Sequence, residues 1–197
     1  MKTREQGGNS PTPDPVGQTG YPCRNMKELV VIASVKGRWC LKIFGLLKLF
    51  ELRKTIPSLP TPFKVLVYCS RAQSKEDKCF FDIWGSRRNP KIGLSNIAGM
   101  MPANGTVIGE FVCDGIEKAV GITRQNIAIP HSDILKAARV SDEDALKYAS
   151  GSTVGAWRIK DAKLYRRPKE LSDYGLKRAP QSWQYVRIRS EENDKEE

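Results

Sequence analysis

The sequence predicts an α+β fold, a mostly antiparallel β-barrel with flanking helices, and three observations predict it. Segments with strand character outnumber helical ones. The helical ones fall between strands without the βαβ alternation of a parallel sheet, and no repeat or internal linker divides the chain. The 197 residues suffice for one domain with its own core, at 40% hydrophobic and 28% charged residues.

Residues 1–25 are rich in Gly, Pro, Ser and Thr and poor in apolar side chains, which predicts a disordered segment ahead of a domain over 26–189. Leu29 to Ser34 is rich in β-formers and predicts a buried strand. Gly37 then opens a helix with Trp39, Ile43 and Leu46 or Leu47 at helical spacing, and Gly45 is placed as its stop. From Leu49 to Lys54 apolar and charged residues alternate, so Phe50 and Leu52 point one way and Glu51 and Arg53 the other, as on a half-buried strand. Ile56 to Pro62 holds three prolines and reads as a stiff connector, since each fixes φ and removes a donor.

Phe63 to Cys69 is the clearest core strand, and Cys79 to Trp84 is another strand. Gly85 to Gly105, with its glycines, asparagines, prolines and arginines, predicts a long basic loop. Thr106 to Cys113 predicts a strand with Ile108, Glu110 and Val112 on one face. One short helix starts near Ser132. A second follows Ser141, whose hydroxyl can cap it, and stops before Gly151. Strands over Val154 to Ile159, Ala162 to Tyr165 and Trp183 to Ile188 complete the domain, and an acidic tail at 190–197 is expected to be unstructured.

The charge balance narrows the class of partner. Thirty-three Lys and Arg against 22 Asp and Glu give +11, and the tail alone contributes −4, so the rest carries +15. Such an excess favours RNA, with DNA as the related alternative, although a basic protein without such a partner fits the charge equally well. Five cysteines with no C-x-x-C pair argue for a reducing, cytoplasmic setting, and Cys40, Cys69 and Cys113 lie in apolar runs. The single histidine, His131, has no nucleophile or acid partner in sequence, and no Cys/His spacing suits a metal, so neither metal nor cofactor is expected. No apolar stretch is long enough to span a bilayer, so no membrane partner is expected.

The segment Lys48-Leu49-Phe50-Glu51-Leu52-Arg53 places a lysine at a helix-to-strand joint and two opposite charges on one strand face. It fits a solvated edge with a surface ion pair. It also fits a pocket wall in which Lys48 or Arg53 takes a phosphate and Glu51 accepts from a base edge. The segment resembles the K-x-x-E-x-R core of the ASCH (activating signal cointegrator homology) signature, G-x-K-x-x-E-x-R. The similarity extends through Ser34-Val35-Lys36, Thr61 to Val65, Val107 to Phe111, Ala156 to Ile159, Pro168 to Leu171 and Pro180 to Val186, and so covers most of Leu29 to Ile188. At the place of the signature glycine, two residues before the lysine, this chain has Leu46, with Gly45 one further back.

The resemblance implies a PUA-like barrel with a cleft against its first helix that binds RNA or a modified nucleotide. Lys36, Lys48, Glu51 and Arg53 would line it, with Trp39 beside it as a stacking surface. Some small members of that family are amidohydrolases that deacetylate acetylcytidine with a lysine, a threonine and a glutamate. Carried over, these are Lys48 and Glu110, with Glu51 where the threonine falls. A carboxylate cannot replace a hydroxyl nucleophile, which leaves hydrolysis by a Glu-activated water with Lys48, Glu51 and Glu110 as candidate catalytic residues. A protein-interaction domain of a transcription or translation assembly is the third alternative.

Arg87, Arg88 and Lys91 in the long loop are candidate phosphate contacts or an ordinary solvated loop. Arg166-Arg167 beside Pro168-Lys169 forms a second basic cluster with the same two readings. Trp157 and Trp183 have apolar neighbours and are expected to serve packing more than stacking.

Overall fold

The structure is a computed structural model, and it describes residues 27–82, 91–93 and 100–189. The expected disordered segment at 1–25, the acidic tail at 190–197, and Arg87 and Arg88 lie outside the described residues.

The architecture is α+β. Strand β1 (Lys27–Val35) leads through helix α1 (Gly37–Phe44) and strand β2 (Phe50–Arg53) to β3 (Phe63–Cys69). Three short strands follow, β4 (Phe80–Asp82), β5 (Ile92–Gly93) and β6 (Met100–Pro102). Next come β7 (Val107–Ile122), β8 (Ala128–Pro130), α2 (Ser132–Ala137), α3 (Asp142–Ala149), β9 (Val154–Lys169) and β10 (Trp183–Arg189). The main sheet has the order β10-β1-β3-β7-β9-β2, with β8 added on β7.

This corrects the expected barrel. Among the described residues the path of paired strands ends at β10 and β2 and does not close, and β1 pairs with β3 in parallel while the other pairings are antiparallel. The sheet nevertheless curls until its two ends face each other, and side chains bridge them. Arg53 of β2 donates to the carbonyls of Ser182 (3.1 Å) and Ser34 (2.8 Å), and the Trp183 indole N–H donates to Thr55 Oγ1 (2.8 Å). Trp157 of β9 stands edge-on to Trp183 at 6.0 Å and to Phe63 at 5.9 Å beneath this seam. The fully buried Trp157 centres the core with Phe111, Ile43, Val65 and Val67.

Two expectations are extended. Val154 to Ile159 and Ala162 to Tyr165 are one strand, carried past a left-handed Asp161 (φ 49°), and the strand predicted over Thr106 to Cys113 runs on to Ile122. The predicted long loop is partly folded, since β4 pairs with both β5 and β6 in a separate small sheet. The capping prediction holds for α3, where Ser141 Oγ accepts from the Asp144 N–H at 3.1 Å. Cys40, Cys69 and Cys113 are buried as expected, and burial pushes the Cys113 thiol up to about 11. No helix of the described residues is long and apolar enough to cross a membrane.

The turn after α1 sets the position of Lys48. Leu46 N–H donates to Ile43 O (3.1 Å) and Leu47 N–H to Lys42 O (2.9 Å), the pair of bonds that closes a helix around one left-handed residue. That residue is Leu46, at φ 57°, not Gly45 at φ −81°. The position two residues before Lys48 is therefore the one that needs a positive φ. Leu46 is 73% exposed and gains little from packing there. Leu46→Gly should stabilise the protein by about 1 kcal/mol by relieving left-handed strain, raising Tm by ~2–4 °C in a calorimetric scan.

Candidate functional site

The parallel pairing of β1 with β3 forces a crossover, and α1 and β2 lie within it. The chain leaving β1 therefore enters α1 at the end of the sheet where β3 also finishes. Gly37 is required there, because a Cβ would collide with the backbone carbonyl of Asp77. With that close approach, Arg38 binds Asp77 through Nε at 2.7 Å and holds its carboxyl below the usual carboxylate range.

Between this helix start, β2, and the segment leading into β10 lies a cleft of about 890 Å³. Its floor is the charged face of β2. The alternation predicted in sequence is present, but the buried face is the charged one: Glu51 and Arg53 are 6% exposed, while Phe50 and Leu52 are half-buried. Lys48 joins them at 3%. A charged cluster so deep must be internally paired. Arg53 Nη2 forms an ion pair with Glu51 Oε1 at 3.0 Å, and the Lys48 ammonium lies 3.7 Å from Glu51 Oε2. Lys48 also donates to the Ala138 carbonyl at the end of α2 (2.8 Å), and its ammonium stands 4.7 Å over the Trp39 ring.

Both Nη atoms of Arg53 are taken by Ser34, Ser182 and Glu51, so it acts first as a strut, although its Nε is buried without a hydrogen bond. Glu51 Oε2 is buried without a hydrogen bond, its distance to Lys48 being that of an ion pair only. Burial pulls the Lys48 ammonium below the usual lysine range; Glu51 opposes this, and Arg53 and Lys42 add to it. The floor thus presents an acceptor and a cation side by side, each with capacity to spare.

Five predicted residues meet at this cleft: Lys36, Trp39, Lys48, Glu51 and Arg53. Glu110 does not. Its Oε2 accepts from Tyr165 Oη at 2.8 Å, and it lines a separate depression. The register gives the reason: Glu51 pairs with Trp157, which pairs with Ile116 of β7, so Glu110 lies six residues, about 20 Å, further along that strand. The trio Lys48, Glu51 and Glu110 is therefore not brought together. Of the other tryptophans, Trp157 is fully buried and Trp183 half-buried, both in packing.

The sequence reading missed the rest of the rim. Arg71 follows β3, and Lys177 and Arg178 precede β10. Tyr148 and Asp144 come from α3, and Tyr68 from the end of β3. The adjacent bases Lys177-Arg178 ahead of the closing Pro180-Gln181-Ser182-Trp183 block were the available signal. Among the described residues, Lys36, Arg71, Lys177 and Arg178 form no ion pair. Among the same residues, no group of His, Cys, Asp or Glu side chains is placed to hold a metal.

No protein-family model matches the sequence, and no curated protein matches it. Solved structures do. ASCH from Zymomonas mobilis is 15% identical with a TM-score of 0.51, covering 79% of this chain and 85% of that one. Two point mutants of the same protein give 17% and 18% identity, TM-scores of 0.51 and 0.52, and coverage of 79% and 84% of this chain and 88% and 90% of theirs. At this level of identity the likeness is one of fold.

Proposed function

From an ASCH-type fold and a basic cleft over a buried lysine, glutamate and arginine, we propose that this is an ASCH-domain protein binding RNA, or a modified nucleotide, at its K-x-x-E-x-R segment. The fold neighbours support an ASCH-domain reading. The observation that carries the ligand reading is the buried, unbonded Glu51 Oε2 beside Lys48 at the base of the cleft. Glu51 accepts from an amino or imino group of an unstacked base while Lys48 donates to a neighbouring acceptor, which reads a polar base edge. Lys36, Arg71, Lys177 and Arg178 around the mouth attract the phosphate, giving affinity without sequence information. Trp39 is already covered by Lys42 and Lys48, at 4.5 and 4.7 Å, so any stacking by it uses the remaining exposed part of the ring.

The test is fluorescence anisotropy of a labelled single-stranded RNA against the protein and Lys48→Met. Removing one charge-assisted hydrogen bond should weaken binding ~10–100-fold. Undiminished affinity in a variant that still unfolds cooperatively in urea would refute the reading.

A hydrolase reading has one observation in its favour, a lysine drawn below its usual range beside a carboxylate oxygen able to hold a water. It keeps Lys48 and Glu51 and must do without Glu110.

A further inference from the structure

Past the cleft, the second depression carries the basic cluster that the first site leaves unused. It has a volume of about 610 Å³, and seven of its eight lining residues are Lys163 to Lys169 of β9, with Glu110 beneath. Over residues 160–169 that strand holds Lys160, Lys163, Arg166, Arg167 and Lys169 against Asp161 alone. Its pairing with β7 is irregular here: Leu164 to Lys169 on β9 span only Gly109 to Val107 on β7. Such a bulge turns side chains out of the ladder, and Arg166 and Arg167 are exposed.

The Glu110 carboxylate lies opposite Lys163 in register and accepts from the Tyr165 hydroxyl, so this anion is already held within the fold. Burial pushes the Tyr165 phenol up, which keeps it a donor to Glu110, and the Lys169 ammonium covers its ring at 4.7 Å. β2 pairs with β9 only over Gly155 to Arg158, so the basic stretch has no strand partner on that side among the described residues.

The stretch ends beside the cleft. Tyr68, which lines the cleft, pairs with Val107, and Val107 pairs with Lys169. Two ladder steps, about 10 Å, separate the cleft wall from the basic strand. Beyond Lys169 the chain reaches Leu171 and then Lys177 and Arg178, all on the cleft rim.

We infer that the bulged basic stretch of β9 is a second nucleic-acid contact, gripping the phosphodiester backbone of a single-stranded RNA of which one nucleotide occupies the cleft. The inference rests on the nucleotide-cleft reading and makes the ligand a polynucleotide. Backbone phosphates suit a row of flexible cations on an open strand face, and such contacts add affinity without reading sequence. The same charges would also discourage edge-to-edge pairing of β9 with another chain, and the experiment separates the two roles.

The full-length protein, Lys163→Gln plus Arg167→Gln, and Lys48→Met are compared with a labelled RNA strand of about 12 nucleotides, across a salt series, and with cytidine monophosphate by calorimetry. Loss of two contacts at ~0.7 each should lower the slope of log affinity against log salt by about 1.4, weakening RNA binding about tenfold at physiological salt. Mononucleotide binding should be unchanged in that variant. Unaltered RNA affinity and slope would overturn the inference and leave edge protection as the role of these charges. Mononucleotide binding without RNA binding by the parent protein would overturn it too, while sparing the cleft. RNA binding weakened by the β9 pair but not by Lys48→Met would sustain the second contact and remove the cleft reading. Binding of neither ligand sinks both.

Discussion

Glu51→Gln should destabilise the protein by about 3–5 kcal/mol, the cost of leaving two buried cations without their shared anion. Lys48 and Arg53 both approach this carboxylate, and all three side chains are at most 8% exposed. The substitution keeps the shape and removes only the charge, so packing loss cannot account for the result. In urea the midpoint should fall with little change in slope, because the surface exposed on unfolding is the same.

The deficit should also depend on pH. Burial holds Lys48 below its unfolded value of 10.5, and Glu51 is the largest influence raising it. Without Glu51 the folded-state value falls further. Between that value and 10.5 the unfolded chain binds more protons than the folded one, so stability rises with pH over that window. The variant should therefore recover part of its loss as pH is raised towards 10.5. A deficit that stayed constant across alkaline pH would show that Lys48 is not the group left uncompensated.

Arg53→Met is the second large expectation, at ~3 kcal/mol or more. It removes the bonds to Ser182 and Ser34 across the seam and the partner of Glu51 Oε1, while methionine retains much of the apolar stem. The loss should be local as well as global. Hydrogen exchange should accelerate in β2 and at the start of β10, whose ends the guanidinium joins, and less in the β3–β7 ladder at the centre of the sheet. Uniform acceleration would mean that Arg53 supports the whole fold and not the seam. Replacing the three charges together by Met, Leu and Leu is the informative control. Buried ion clusters are commonly replaced by apolar residues at no net cost, so a stable triple variant would assign them to the ligand.

Much of this was legible in the residues. Runs such as Phe63 to Cys69 and Trp183 to Ile188 are β-rich on both faces and map onto strands at nearly the predicted limits. The Ser141 cap and the alternation over Phe50 to Arg53 were equally clear, because each depends on local spacing alone. What alternation could not give was the sign of the face. Apolar residues conventionally point inwards, yet at β2 the charged pair does, because Ser34 and Ser182 supply partners from distant elements and Lys48 adds one from the turn just before it. Glu110 failed for a related reason. Its motif matched locally, but its distance from Glu51 depends on the register of β9 between them, which no short segment encodes. The sixteen-residue lengths of β7 and β9 were hidden by Gly115 and Asp161, polar or small positions that read as breaks and are absorbed within long strands.

The pairing of β1 with β10 has a kinetic consequence. Lys27 pairs with Arg189, so the first and last described strands lie side by side and the loop between them is nearly the whole domain. Contacts of that separation close late, since the entropy of loop closure precedes any gain from them. Ser182, the acceptor for Arg53, and Lys177 and Arg178 of the rim arrive with that last strand. During synthesis, therefore, Lys48, Glu51 and Arg53 exist as a charged strand without its seam until the ribosome has almost finished the domain. The cleft is therefore incomplete in a nascent chain until residues 177–182 have joined it.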